Sequence, residues 1–153
     1  MRAIIRKVSN PEEEQVVIQC VEVTQEAEDI LAYALSRGSA LSGLSSKGQM
    51  QRFALCDVLY FEAIDEKVFA YTKDQVYEVR MRLYEAERAY EKQHFVRCSK
   101  SVVLNLMQLS GISPALAGRF YAHMKNGERL IISRQYAGRL RSIVMGGGRE
   151  DEA

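Results

Sequence analysis

Apolar and polar residues alternate with a period of two in several short segments of this chain, which is typical of β-strands with one buried face. The segments are residues 16–23, 51–55, 57–64, 67–72 and 75–79. Short polar pairs, Asp65-Glu66 and Lys73-Asp74, separate the last three of them. Because the connections are so short, these later strands are predicted to pair as an antiparallel meander.

A helical period of apolar residues appears in three other segments. The first follows Thr24, a favourable N-cap, and ends before Gly38, which stands where a C′ residue is expected. Its apolar stripe consists of Ala27, Ile30, Leu31 and Ala34. We expect this stripe to pack on strand 16–23 or on a partner subunit. The other two helices are predicted over residues 79–92 and 134–145.

The second half of the chain is organised around residues 94–106, HFVRCSKSVVLNL, which we interpret as one strand that continues to residue 112. Arg97 and Lys100 lie at the head of this strand, so its backbone would aim two cationic side chains. For Asn105 we predict a structural hydrogen bond.

A hairpin is predicted around Asn126-Gly127, because both central residues of a type I′ turn need positive φ. Pairing across a two-residue loop would set Lys125 opposite Glu128 and His123 opposite Leu130. One face of the hairpin would then carry Arg119, Tyr121, His123 and Lys125. Ser133 is a candidate N-cap for the last helix.

Together these patterns predict an α+β fold that is mostly β, with small antiparallel sheets and short helices. A segment rich in Ser and Gly, residues 36–46, is interpreted as the junction between two parts of the chain. Residues 1–40 are predicted to form a strand-helix extension for dimerisation or partner binding. Residues 41–145 form the main domain, and 146–153 are expected to be a disordered tail.

The net charge of +1 conceals a strong asymmetry along the chain. Residues 1–91 contain 11 Lys or Arg and 16 Asp or Glu, whereas residues 92–149 contain 10 Lys or Arg and one acid, Glu128. This difference favours a surface that binds a polyanion, joined to a neutral or acidic partner region. A solvated basic face without a ligand is the alternative.

Several other function classes lack their sequence signals. Cys20, Cys56 and Cys98 are odd in number and form no CxxC pair, so we expect reduced thiols and neither a metal nor a cofactor. His94 and Cys98 would lie about 13 Å apart on one strand, too far for a catalytic pair. No P-loop, GxGxxG or HExxH motif occurs, and we expect neither enzymatic activity nor a small-molecule substrate. Without a signal-peptide pattern or a long apolar run, a cytoplasmic location is expected.

Three motifs occur together and in a characteristic order. They are DVLYFEAIDEKVFAYTKDQVYEV, FVRCSKSVVLNL and GRFYAHMKNGERLIISRQYAGRLRSIV. Over roughly residues 41–145, they resemble the LytTR-type DNA-binding domain of bacterial transcription regulators. The resemblance implies an elongated β fold that contacts DNA with loops rather than with a recognition helix. By position, it also implies base contacts by Lys67, Lys100 and Arg134.

The chemistry of these side chains agrees with that implication. Lys and Arg pair with guanine O6 and N7 in the major groove, whereas Lys, Arg and Ser bind phosphates. We therefore expect phosphate contacts from Arg97, Ser99, Ser101, Arg119, Lys125 and Arg139.

The resemblance further implies a transcription regulator that binds direct-repeat promoter sites on double-stranded DNA as a homodimer. The extension of about 40 residues is too short for a receiver domain, so regulation is expected to be independent of phosphorylation. The extension is the candidate site for self-association or for capture by a small membrane protein. The alternative function is a protein-interaction or sensory module whose basic face binds an acidic partner other than DNA.

Overall fold

The computed structural model describes residues 2–145, which form three α-helices and ten β-strands. In chain order the elements are α1 (Gln25–Gly38), β1 (Ala40–Ser45), β2 (Met50–Ala54), β3 (Val58–Ile64), β4 (Lys67–Thr72), β5 (Val76–Val79), α2 (Leu83–Ala89), β6 (Phe95–Ser99), β7 (Val102–Asn105), β8 (Leu109–Pro114), β9 (Phe120–Met124), β10 (Arg129–Ile132) and α3 (Arg134–Val144). Short 3-10 helices lie at Pro11–Glu13, Leu55–Asp57, Glu91–Gln93, Leu106–Gln108 and Leu116–Gly118.

The strands form two antiparallel sheets. The larger sheet has the order β2-β1-β5-β4-β3-β7-β6, and the smaller has the order β10-β9-β8. This architecture confirms the predicted fold class. The consecutive pairing of β3, β4 and β5 confirms the predicted meander, whereas β2 pairs with β1 and not with β3. None of the helices in the described residues is long and apolar enough to cross a bilayer.

Two apolar clusters lie on opposite faces of the larger sheet. One includes Phe61 of β3, Val103 of β7 and Ala86 of α2. The other joins Leu104 of β7 to residues of the smaller sheet and of α3, including Leu140. Adjacent residues of a strand point to opposite faces, so β7 is buried on both sides. This double burial explains why residues 102–104 are uniformly apolar.

Residues 94–106 form a hairpin rather than the single predicted strand. β6 pairs with β7, Arg97 lies opposite Val103, and Lys100 and Ser101 occupy the turn. The turn contains Ser and Lys but no Gly, Pro, Asn or Asp, so the strongest turn signals are missing from the sequence. The predicted continuation to residue 112 is also wrong, because the 3-10 helix Leu106–Gln108 separates β7 from β8.

Asn105 has the structural role that was predicted for it. Its side chain is 1% exposed and donates a hydrogen bond from Nδ2 to the Val58 carbonyl oxygen at 2.9 Å. Its Oδ1 accepts from the Met107 N–H at 2.9 Å. Asn105 therefore ties the end of β7 to the start of β3.

The Asn126-Gly127 hairpin forms, but with a longer loop and a different register. His123 lies opposite Arg129, not opposite Leu130. Of Asn126 and Gly127, only Gly127 has positive φ, at 93°, so the turn is not type I′. The Asn126 side chain instead closes the loop, because its Oδ1 accepts from the Glu128 N–H at 3.0 Å.

The N-terminal part contains the predicted helix but not the predicted strand. Residues 16–23 lie outside both sheets and are largely exposed. The N-cap of α1 is Thr24, whose Oγ1 accepts from the Ala27 N–H at 3.2 Å. The helix buries Ala32 and Ser36 and contacts the segments 55–57 and 91–93 of the domain, whereas Ile30 and Leu31 remain exposed. The expected packing of the apolar stripe on strand 16–23 is therefore wrong.

The segment 36–46 is not a loop junction. It contains the end of α1, with Gly38 as its last residue, and then β1, which lies between β2 and β5 in the larger sheet. A Cβ at Gly43 would lie 2.7 Å from the Tyr77 Cβ, so glycine permits close approach of β1 and β5. Strand pairing thus overrides the weak strand propensity of Ser and Gly. The predicted tail, residues 146–153, lies outside the described residues.

Candidate nucleic-acid interface

Two turns and the start of α3 meet at one end of the molecule. The Ala63 N–H donates to the Ser101 carbonyl oxygen at 2.8 Å, so the β3–β4 turn lies beside the β6–β7 turn. The Ser133 N–H donates to the Cys98 carbonyl oxygen at 2.9 Å, which fixes the start of α3 against β6. Hydrogen bonds between backbone groups therefore hold these segments in register.

An open cleft of about 500 Å³ lies at this end of the molecule. We call it the cationic cleft, and its lining consists of Lys100, Ala117, Arg119, Ser133, Arg134 and Gln135. Its three cations come from the β6–β7 turn, the start of β9 and the first turn of α3. Within residues 2–145, none of the three forms an ion pair. With no acid in its lining, the cleft concentrates positive potential.

Arg97 supports the β6–β7 turn from behind. Its Nε and Nη2 lie 3.1 Å and 3.0 Å from Oε1 of Glu87 on α2, and its Nη1 donates to the Lys100 carbonyl oxygen at 2.7 Å. Only 14% of the side chain is exposed. The structure thus places Arg97 between α2 and the turn, and the phosphate contact expected of it stays a prediction.

The two serines flank Lys100 in the same turn. The Ser99 hydroxyl oxygen accepts a hydrogen bond from the Ser101 N–H at 3.3 Å. The pairing of β6 with β7 shifts in register between Arg97 and Ser99, just before this turn. Together with the contact from Arg97, this bond restrains the backbone on both sides of Lys100. The direction of the Lys100 side chain is therefore set by the turn as a unit.

The remaining predicted cations lie elsewhere on the surface. Lys67 follows the β3–β4 turn, 3.8 Å from Glu78 of β5. Arg139 of α3 lies 3.7 Å from Glu91, and the two side chains are mostly exposed. Exposed pairs of this kind hold their partners weakly. Lys125 lines a separate cleft with Asp74 and Asn126, among other residues, and is therefore not part of the cationic cleft.

Two stacked tyrosines, on β3 and β4, donate hydrogen bonds to carboxylates. The rings of Tyr60 and Tyr71 stack at 4.3 Å, and their hydroxyls donate to Glu128 at 3.0 Å and to Glu62 at 2.8 Å. Burial, reinforced by these hydrogen bonds, raises the pKa of Tyr60 above its ordinary value and that of Tyr71 to about 12. Glu128, the one acid among residues 92–149, is thereby held by hydrogen bonds.

Cys98 lies on β6 and has no solvent exposure. Burial raises the pKa of its thiol to about 12. The thiol therefore stays protonated at neutral pH and is not a reactive nucleophile.

Sequence reasoning assigned no role to residues 115–118, which directly precede Arg119 and include Ala117 of the cationic cleft. Ala117 lines the cleft and has a positive φ of 61°, which is rare for a residue other than glycine. The only sequence signal was the dipeptide Ala117-Gly118, which by itself predicts no more than a turn.

Comparison with known proteins identifies the class to which this domain belongs, that of DNA-binding domains. Residues 48–145 match the family described as "LytTr DNA-binding domain". These residues are more than half of the chain, and the protein therefore belongs to the LytTr DNA-binding domain family. The match confirms the family resemblance, and the protein is a DNA-binding transcription regulator whose partner is double-stranded DNA.

Relatives and a solved structure support the same family. Two uncharacterized HTH-type transcriptional regulators, from the Staphylococcus aureus strains bovine RF122 / ET3-1 and NCTC 8325 / PS 47, are each 29% identical over 102 residues. Each alignment covers 67% of this chain and 68% of the relative. A solved LytTr DNA-binding domain from Bacillus cereus superposes with a TM-score of 0.64 at 27% identity, covering 69% of this chain and 96% of that one.

Proposed function

We propose that this protein recognises specific promoter sequences through the cationic cleft and the turns beside it. The observation that carries the proposal is the convergence of Lys100, Arg119 and Arg134 in one cleft with no acid in its lining. These residues lie far apart in the sequence, and each is positioned by a different secondary-structure element. A surface charge without a ligand needs no such convergence.

Within the cleft, we assign Lys100 and Arg134 to base edges and Arg119 to phosphate. Lys100 projects from a restrained turn, and Arg134 is the first residue of α3, so both are aimed by fixed backbone. Lys67, on the neighbouring turn, is a third candidate for a base contact. Ser99 and Ser101, on either side of Lys100, and Arg139, on the surface of α3, are phosphate candidates. Lys125 directly follows β9, so it can contact a phosphate only if the DNA extends to that end of the strand.

The start of α3 adds a second source of affinity for phosphate. Ser133 is its N-cap but makes no side-chain hydrogen bond to the helix. The first N–H groups of a helix lack intrahelical partners, and the helix dipole favours an anion there. A DNA phosphate beside Ser133 would satisfy these groups.

We further propose that two copies bind in tandem on direct repeats and associate through the N-terminal extension. The supporting observation is the apolar side of α1, where Ile30, Leu31 and Leu35 are 36%, 47% and 44% exposed. The same exposure also suits capture by another protein, such as a small membrane protein. This is the feature that favours the second candidate function, an interaction module whose basic face binds an acidic protein.

Selection of bound sequences from a random DNA pool by the full chain tests the proposal. We expect enrichment of a short motif that recurs as a direct repeat with a constant spacing. Binding to the selected site should exceed binding to shuffled DNA of the same composition at every salt concentration. Equal affinity for selected and shuffled DNA would contradict sequence recognition and favour the interaction module.

A further inference from the structure

The segment between β8 and β9 is a closed and conformationally unusual loop. The Ala115 N–H donates to the Arg119 carbonyl oxygen at 2.9 Å, and the Arg119 N–H donates to the Leu116 carbonyl oxygen at 3.3 Å. Between them, Ala117 and Gly118 have φ values of 61° and 75°. A left-handed alanine is disfavoured, and such a residue persists only where its surroundings hold it in place.

The loop backbone packs directly on Arg134. A Cβ added at Gly118 would lie 3.0 Å from Cδ and 3.2 Å from Cγ of Arg134. These distances leave no room for a larger residue unless Arg134 moves. The loop is therefore positioned relative to the cationic cleft, with Ala117 in the cleft wall.

Leu116 stands at the tip of this loop and is 86% exposed. Its side chain contributes nothing to either apolar cluster of the domain. It directly precedes Ala117, so a large apolar side chain lies beside a cleft that is otherwise cationic and polar. An exposed leucine on a mobile tail needs no explanation, but this one is carried by a restrained loop at the site.

The edges of DNA bases offer one prominent apolar group in the major groove, the C5-methyl group of thymine. We propose that Leu116 is a specificity-determining residue that contacts this methyl group in the sites the protein recognises. The inference rests on the proposed function. Lys100 and Arg134 read hydrogen-bonding atoms, and Leu116 adds recognition of a neighbouring thymine.

The test uses the full chain and its selected DNA site, with each thymine replaced in turn by deoxyuridine, which lacks only the methyl group. At one position we expect the wild-type affinity to fall about fourfold, the equivalent of one buried methylene at roughly 0.8 kcal/mol. Leu116→Ala should bind the unmodified site about as weakly as the wild type binds the substituted one. At that position, Leu116→Ala should lose little further affinity when the methyl group is removed.

Leu44→Ala is the matched control, because Leu44 is also exposed but lies on β1 in the larger sheet. This variant should keep the full dependence on the thymine methyl group. Two outcomes would overturn this inference without affecting the proposed function. The first is an unchanged affinity of Leu116→Ala for the selected site. The second is a loss of affinity in Leu116→Ala that is the same on DNA with and without each methyl group, which would indicate that Leu116 inserts between bases. Failure of the wild type to select any sequence would overturn the proposed function as well.

Discussion

At the scale of single residues, the cations of the candidate interface differ in the segments that carry them. Lys100 lies in the β6–β7 turn and Arg134 is the first residue of α3, whereas Arg119 directly precedes β9. Residues that read bases should therefore be separable by experiment from those that attract phosphate.

We predict that Lys100→Ala and Arg134→Ala each weaken binding to the selected site by about 1–3 kcal/mol and weaken binding to random DNA much less. Arg119→Ala should weaken both alike and flatten the slope of log affinity against log salt by about one unit. Fluorescence anisotropy at several salt concentrations measures both quantities. Equal losses on the two DNAs for Lys100→Ala and Arg134→Ala would reduce the cleft to a basic surface.

A second residue-scale prediction concerns Arg97, which contacts both Glu87 and the Lys100 carbonyl oxygen. Glu87→Gln removes the charge that holds Arg97, so the β6–β7 turn should exchange its amide hydrogens faster. Affinity for the selected site should fall several-fold, because Lys100 loses its fixed position. Binding to random DNA should not fall, since no cation has been removed.

Arg97→Ala distinguishes this positioning role from a direct phosphate contact. If Arg97 positions the turn, Arg97→Ala should exchange the amide hydrogens of the β6–β7 turn faster. The slope of log affinity against log salt should then stay close to that of the wild type. If amide exchange is unchanged and the salt slope falls by about one unit, Arg97 binds phosphate instead.

At the scale of elements, hairpins and their neighbours determine where each side chain points. β3 and β4 carry the stacked tyrosines, and the Tyr60 hydroxyl reaches Glu128 in the loop between β9 and β10. This contact links the larger sheet to the smaller one. It also makes the stability of that junction sensitive to alkaline pH.

We predict that the free energy of unfolding of the full chain falls as pH rises from about 9 to about 12. In the folded state the pKa values of Cys98 and Tyr71 are both raised to about 12. The unfolded chain releases these protons at about pH 8.5 and 10, so over this interval the folded state binds more protons and loses stability. At pH values below the pKa values that these two groups have in the unfolded chain, their contribution to the free energy of unfolding is fully present.

Denaturant unfolding under reducing conditions at several pH values measures this loss. Tyr71→Phe should make the decline above about pH 10 shallower, because it removes one of the titrating groups. Tyr84→Phe is the matched control, since Tyr84 is exposed on α2. A decline in Tyr71→Phe as steep as in the wild type would contradict the assignment.

At the scale of the whole molecule, one end of the protein carries the cationic cleft, whereas the N-terminal extension carries an exposed apolar surface. α1 is fixed to the domain through Ala32 and Ser36 and leaves its larger apolar residues uncovered. An amphipathic helix normally buries such a stripe. The surface that we propose for DNA contact and the surface that we propose for association therefore belong to different parts of the chain.

We predict that the double substitution Ile30→Asp and Leu31→Asp disrupts self-association of the full chain, because it places two charges in the apolar contact. Affinity for a single repeat should be unchanged, whereas cooperative binding to two repeats should be lost. Sedimentation equilibrium and binding to one-repeat and two-repeat DNA measure these effects. Met50→Asp on β2, also an exposed position, is the control. If the wild-type chain is monomeric both on and off DNA, self-association through α1 is contradicted, and the exposed apolar side of α1 would bind another partner.

The sequence by itself was sufficient to predict the elements of this protein that depend on local patterns of residues. Alternation and short polar connections predicted β2 to β5, and the capping residue Thr24 predicted the start of α1. Motif order predicted the family, whereas the assignment of Lys100 and Arg134 to base edges stays a prediction. These signals are local because strand alternation, capping and turn chemistry involve residues a few positions apart.

Only the tertiary structure decided features that depend on contacts between distant residues. The turn at Lys100-Ser101 was missed because it lacks Gly, Pro, Asn and Asp, and because burial on both faces of β7 makes residues 102–104 uniformly apolar. Residues 16–23 have strand-like alternation but no neighbouring strand with which to pair. The role of Arg97 depended on Glu87, and the place of Leu116 depended on Arg134. Side-chain direction follows from the packing of separate elements, and no local pattern of residues encodes it.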